Sequence, residues 1–285
     1  GFIGGHLCRR LRAAGAEVHA VSRRARIGGE GIDRWWRADL ADPESTAALL
    51  DDVRPDTVFH LASHVYGSRD LSFVLPTFRD NLATTVYLLT AAAERGDCSV
   101  ILSGSMDEPR QGEGQLPSSP YAAAKIAAST YARLFHDLYQ LPITIARIFM
   151  VYGPDQKDEK KLVPYVTRSL LAGDSPELSG GGREVDWVYV EDVAEALVTL
   201  AGLDDLAGRT IDIGTGKRTS VRGVVETLAD IIGGEGKPTF GVVAERPRET
   251  QPVADVEATF EATGWRARTD LRDGLERTVD WYRRR

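Results

Sequence analysis

Short apolar runs alternate along the chain with segments whose apolar residues recur at helical spacing. In residues 5–15, Leu7, Leu11 and Ala14 share one face and Gly15 follows, which predicts a helix and its stop. Glu17–Ser22 reads as a strand, Trp35–Leu40 as a short strand, and Pro43–Val53 as a helix capped by Asp42. Asp56–Ala62, with Val58, Phe59, Leu61 and Ala62, reads as a buried strand. A long helix is predicted over Thr77–Arg95, ended by Gly96. It is followed by a strand at Ser99–Ser103, a helix at Pro120–Tyr139 and a strand at Ile143–Phe149. Strands alternating with helices predict a parallel sheet with right-handed crossovers.

After about residue 152 the pattern loosens. Pro, Gly and charge clusters interrupt it at 153–161, 172–184 and 233–250, and helices are predicted at 161–172, 191–202, 220–232 and 270–283. The reading is a dinucleotide-binding region over 1–152 and a smaller, partly discontinuous lobe over 153–285. The chain opens directly on Gly1-Phe2-Ile3-Gly4, a turn that in such a sheet follows a first central strand. A strand preceding Gly1, outside these 285 residues, is therefore expected.

Composition narrows the class. Hydrophobic residues make up 42% and charged residues 27%, the balance of a folded globular chain. No apolar run approaches the roughly 20 residues of a spanning helix, so no membrane role is expected. A net charge of −7 argues against nucleic-acid binding through a broad basic surface. Two cysteines, Cys8 and Cys98, are too few for a disulfide framework or a thiolate zinc site. No HExxH pattern suggests a metal, and the His60-x-x-x-His64 pair reads as structural. With no basic region leading into an apolar core at the N-terminus, a reducing, cytoplasmic compartment is expected.

Two places carry chemistry. Gly1-x-x-Gly4 leads into a helix, where backbone N–H groups and the helix dipole favour a pyrophosphate. The following strand ends Val21-Ser22-Arg23-Arg24, with two guanidiniums where binders of NAD usually have an acid. This favours NADP, with NAD as the alternative. The second place is Tyr121-Ala-Ala-Ala-Lys125, where i, i+4 spacing puts both side chains on one helix face. An ammonium beside a phenol is expected to lower its pKa and let it exchange a proton with a sugar oxygen. Ser105, just past the Ser99–Ser103 strand, is placed to bond the same oxygen.

These residues, with several other motifs in the same order, resemble the extended short-chain dehydrogenase/reductases of the nucleotide-sugar epimerase/dehydratase group. The resemblance covers essentially the whole chain. Gly1-Phe2-Ile3-Gly4 resembles the end of the family's glycine turn, and Asp39-Leu40 its adenine-contacting pair. Asp56-x-Val-Phe-His-Leu61-Ala62, with Ser63 after it, is similar to the strand lying along the cofactor. Asn81 sits where the family has an asparagine in the next long helix. Arg147-x-Phe149-x-Val-Tyr-Gly-Pro154, Asp186–Val193, Ile213–Gly216, Arg246-Pro247, Gly264-Trp265 and Trp281-Tyr282 resemble later family segments. The resemblance implies a Rossmann-type doubly wound α/β sheet with a smaller mixed α/β substrate lobe. It implies catalysis by Ser105, Tyr121 and Lys125, the last two also touching the cofactor. It also implies a nucleoside-diphosphate sugar as ligand, and a homodimer formed through the helices near 77–95 and 120–139.

Some positions depart from the family pattern. Met150 stands where an asparagine touches substrate, Val185 where an arginine precedes the aspartate, and Asp212 where an asparagine is usual. Arg183, Arg246 or Arg248 is expected to supply the charge facing a diphosphate. Asp186 and Asp192 read as caps of the helix near 191. Trp187, Trp265, Trp281, His60 and His64 read as structural. Asp107-Glu108 is similar to a dehydratase acid–base pair but falls one residue late after Ser105. The arginines after the second strand favour NADPH-dependent reduction of a 4-keto-6-deoxyhexose nucleotide. A 4-epimerase, a 4,6-dehydratase and a non-catalytic dinucleotide-binding regulator are the alternatives.

Overall fold

The computed structural model describes residues 1–65, 68–109, 116–244 and 251–285. Its first elements are α1 (Phe2–Ala13), β1 (His19–Ser22), β2 (Arg34–Arg37), α2 (Pro43–Val53), β3 (Thr57–His60) and the single turn α3 (Val74–Thr77). Then come α4 (Thr84–Arg95), β4 (Ser99–Ser105), α5 (Pro120–Tyr139), β5 (Ile143–Ile148), β6 (Met150–Tyr152), α6 (Leu162–Leu171), β7 (Glu177–Leu178) and β8 (Glu184–Tyr189). The chain ends with α7 (Val190–Ala201), β9 (Thr210–Ile213), β10 (Arg218–Ser220), α8 (Val221–Ile232), β11 (Thr239–Phe240), α9 (Val256–Thr263) and α10 (Leu271–Arg283).

It divides into two compact units. One comprises residues 3–148 and 194–212 with Gly1; the other comprises 149–193 and 213–285 with Phe2. In the first, β1 pairs in parallel with β2, and a separate sheet has the order β3-β4-β5-β9. The β3–β4 and β4–β5 ladders are parallel, with Ser103 opposite Ala146 and Ser105 opposite Ile148. Val100, Leu102, Ile143 and Ile145 are fully buried between helices, and Leu89, Ala92, Ala132 and Phe135 complete the same core. Strands covered on both faces explain the unbroken apolar runs in the sequence.

Helix ends follow local chemistry. Asp42 accepts the Ser45 N–H at 3.2 Å and Pro43 fills the first turn, where its missing donor costs nothing. Ser119 caps α5 through the Ala122 N–H at 3.2 Å, again with a proline next. Helix α1 starts three residues earlier than the sequence pattern predicts. Gly1 is its N-cap, and Phe2, Ile3 and Gly4 lie in its first turn.

The predicted helix over 77–95 is interrupted. Residues Phe78–Ala83 form a π-helical turn between α3 and α4. The predicted strand over 143–149 likewise splits at Phe149 into β5 and β6.

The second unit holds a sheet of order β10-β8-β6 and a two-stranded ladder β11-β7. Its clasp is Asp186, which is fully buried. Asp186 accepts the N–H groups of Thr215 (2.8 Å), Gly216 (2.9 Å) and Ala254 (3.0 Å), and the Thr215 hydroxyl (2.6 Å). Asp192 accepts the N–H and hydroxyl of Thr269 at 2.9 and 3.1 Å. Both carboxylates thus tie distant loops together, which corrects the reading of them as caps. Gly153 is a necessity here: its φ is +153°, and a Cβ would lie 2.4 Å from Val190 Cγ1.

Candidate active site

The C-terminal end of β4 brings Ser103 and Ser105 to the sheet edge, and the first turns of α5 bring Tyr121 and Lys125. Lys125 is 5% exposed. Its Nζ donates to the Ser103 carbonyl at 2.7 Å and to the Ser103 hydroxyl at 3.1 Å, and lies 6.0 Å from the centre of the Tyr121 ring. Burial pushes its pKa down to about 8, against the upward pull of Glu108. The Ser103 hydroxyl donates onward to the His60 carbonyl at 3.0 Å.

Tyr121 departs from the sequence expectation. Burial first, then the charge of Asp107, raises its phenol above the usual range, while hydrogen bonding with Ser105 and Ser63 pulls it back. The Lys125 ammonium is bonded to Ser103.

Around Ser105 the turn closes tightly. Its hydroxyl faces Asp107 Oδ2 at 3.4 Å and accepts the Asp107 N–H at 3.2 Å. Its own N–H donates to Glu108 Oε1 at 2.6 Å. The two neighbouring carboxylates therefore have different places, Asp107 at the serine hydroxyl and Glu108 beneath its backbone.

The loop after β3 joins the same centre through Asn81. The Asn81 amide oxygen accepts the His64 N–H at 2.6 Å and the Ser63 hydroxyl at 3.2 Å, and its NH2 donates to the His64 carbonyl at 3.1 Å. The π-turn explains how a helical residue reaches that loop: one extra residue per turn rotates Asn81 toward it. Thr85, one turn on, donates to the Asn81 carbonyl at 2.7 Å and contacts His60 Nε2 at 3.1 Å. Burial, aided by the Lys125 charge, pushes His60 down to about 3, so it is neutral.

Gly1 and the first turn of α1 present backbone N–H groups with no acidic side chain among them. A recess elsewhere in the first unit is lined by Arg23, Arg37, Ala38, Asp39 and Ser45. Asp39 binds the Ala41 N–H at 3.1 Å and Arg79 at 2.5 Å, contacts that hold its carboxyl below the usual range. Arg23 lies 3.5 Å from Asp80. The arginine that suggested a 2′-phosphate thus has a carboxylate beside it, on a residue distant in sequence. Ser22 accepts the Arg24 N–H and the Arg26 side chain, each at 3.3 Å.

A profile of the NAD dependent epimerase/dehydratase family matches residues 1–214. The chain belongs to this family. It is 30% identical to a UDP-glucose 4-epimerase of Mycolicibacterium smegmatis over 99% of this chain and 96% of that protein. It is 27% identical to a dTDP-glucose 4,6-dehydratase of Xanthomonas campestris over 99% and 90%. Among solved structures, MoeE5 in complex with UDP-glucuronic acid and NAD superposes with a TM-score of 0.87 at 31% identity, covering 100% of this chain and 96% of that one. The UDP-glucose 4-epimerase of Thermus thermophilus, a complex with NAD, gives 0.85 at 27%, covering 99% and 96%. The fold is the Rossmann-like α/β fold of the extended short-chain dehydrogenase/reductases.

Within this epimerase/dehydratase chain, the remaining predicted residues fall as follows. Leu61 and Ala62 follow β3 directly, before Ser63. Leu40 follows Asp39, and its carbonyl accepts the Thr46 hydroxyl at 3.3 Å. Met150 opens β6 opposite Trp187, and the Arg183 carbonyl accepts the Val221 N–H at 2.9 Å, both in the second unit. Arg246 and Arg248 lie outside the described residues. Asp212 forms an ion pair with Arg147, 2.6 Å from both Nε and Nη2. That pair accounts for the acid where an asparagine was expected. Thr85 and the bond from Lys125 to Ser103 were missed, and in the sequence Glu108 looks only like half of an acid–base pair. Only Glu108 carried a sequence signal, its place beside Asp107.

Proposed function

We propose that this protein interconverts the C4 epimers of a UDP-hexose, with a tightly held NAD. Bound at the N-terminus of α1 and along the Ser63 loop, NAD would accept hydride from C4 and return it to the other face. Tyr121 takes the proton of the C4 hydroxyl and gives it back, Ser105 bonds the same oxygen, and Lys125 supplies the positive charge beside the phenol. The observation that carries this reading over water elimination is the turn of Glu108. Elimination needs an acid and a base in addition to the tyrosine, and Glu108 is bonded under Ser105 instead of standing with Asp107 at its hydroxyl. The full-length similarity to a UDP-glucose 4-epimerase supports the same choice. The partner is a second copy of the chain. Leu75, Phe78, Tyr131, Leu134 and Leu138 leave apolar area exposed on α3, the π-turn and α5.

The test uses purified protein, UDP-glucose or UDP-galactose, and no added reductant. Appearance of the other epimer supports the reading. A specific observation favours a second reading, NADPH-dependent ketosugar reduction: the recess carries Arg23 and Arg37. No epimer, with NADPH consumed on a 4-keto sugar nucleotide, would replace the first reading by the second.

A further inference from the structure

Glu108 is 8% exposed, and the chemistry above gives it no part. Its Oε1 accepts the Ser105 N–H at 2.6 Å, and the Ser129 hydroxyl approaches it from α5. Residue 104 must be small for this: a Cβ there would lie 2.9 Å from Glu108 Oε1 and 3.3 Å from the Arg147 Cα. The charged and titratable groups facing Glu108 are Lys125 and Tyr121 from α5 and Arg147 from β5, with Asp107 its chain neighbour. Burial comes first and raises its pKa on balance, while the Ser105 N–H and the Lys125 and Arg147 charges pull toward the carboxylate. A negative charge here acts with one sign on both working groups, because it holds the proton on Lys125 and on Tyr121 alike.

We infer that Glu108 is a positioning residue of this centre: it fixes Ser105 through the backbone N–H, with its carboxyl group set among Lys125, Tyr121 and Arg147. The inference rests on the reading of Ser105, Tyr121 and Lys125 as the working groups, not on the identity of the sugar.

The chain has 6 lysines, so the 13Cε resonance of Lys125 can be assigned and titrated without substrate. Glu108→Gln keeps an acceptor oxygen for Ser105 and removes the charge. The Lys125 inflection is expected to fall by about one pH unit, and the pH optimum of turnover to move the same way. Glu108→Ala also removes the charge and should move the inflection in the same direction; it serves where Glu108→Gln does not fold. An unmoved inflection in the folded variant overturns the electrostatic role. Glu108→Leu lacks the acceptor and should lose about tenfold more kcat than Glu108→Gln. Equal kcat in the two variants overturns the hold on Ser105. A shifted inflection in a protein without epimerase activity leaves this inference standing and removes the proposed reaction.

Discussion

The Lys125 ammonium donates to the Ser103 carbonyl at 2.7 Å inside a site that leaves the lysine 5% exposed. One carbonyl and one hydroxyl replace water only in part, so the charged form is disfavoured and the pKa falls from 10.5 to about 8. A cation whose folded pKa is depressed destabilises the fold fully below that value. The penalty is relieved as pH rises from about 8 to about 10.5, where the unfolded chain binds more protons than the folded one. Lys125→Met should therefore gain roughly 1–3 kcal/mol of stability at pH below 8, with the gain vanishing above the unfolded pKa, while turnover is lost. Urea denaturation at several pH values checks this. A variant less stable than the parent at neutral pH contradicts it.

Tyr121 and Ser105 differ in what their removal costs. Tyr121→Phe deletes the group that moves the proton, and kcat should fall by about 10³ with cofactor retained. Ser105→Ala removes one bond to the reacting oxygen and should cost about 10². Initial rates together with the bound-nucleotide content separate lost chemistry from lost binding. Near-normal turnover in Tyr121→Phe would mean that another group carries the proton.

His60 is buried neutral, with its pKa pushed down to about 3 from 6.5. Thr85 donates its hydroxyl proton to Asn81, so His60 Nε2 is the donor to Thr85. As pH falls below 6.5 the unfolded chain takes up a proton that the folded chain refuses. Stability should thus decline progressively toward about pH 3 by several kcal/mol at most. His60→Gln keeps a donor and removes the titration. The difference between the two stability profiles should be flat above pH 6.5 and open below it. Parallel profiles would place the acid sensitivity elsewhere.

Asp186 is the anchor of the second unit. Asp186→Ala leaves the N–H groups of Thr215, Gly216 and Ala254 without their acceptor, a loss of roughly 3–5 kcal/mol. A drop of that size in the unfolding free energy from urea titration is the expected result. A change below 1 kcal/mol, ~0.5 kcal/mol or less being the norm for surface sites, would show that water replaces the carboxylate.

The chemistry of the first unit was legible where it is local. Tyr121 and Lys125 share a face by spacing alone, and Asp42 and Ser119 announce their helices. What stayed hidden depends on partners distant in sequence. No composition marks a π-turn, yet that turn carries Asn81 to the Ser63 loop. A carboxylate reads as exposed until Arg147, Lys125 and Ser129 close around it, so Glu108 looked like half of an acid–base pair. Arg23 looked free to meet a phosphate because Asp80 is remote in the chain. In the second unit, strands of two or three residues such as β7 and β10 are too short for an alternating pattern to show.

That Arg23–Asp80 pair decides a last prediction. A 2′-phosphate near Arg23 would meet the Asp80 carboxylate as well, and Arg79 is shared between Asp39 and Asp80. Like charge at that distance offsets the guanidinium's attraction, so NAD should bind more tightly than NADP. Asp80→Asn removes the repulsion and frees Arg23, and the NADP to NAD affinity ratio should rise about tenfold. Calorimetric titration of both nucleotides into protein stripped of cofactor measures the ratio. Tighter NADP binding by the unmodified protein would show that Arg23 and Arg37 outweigh Asp80, and would favour the reductase reading.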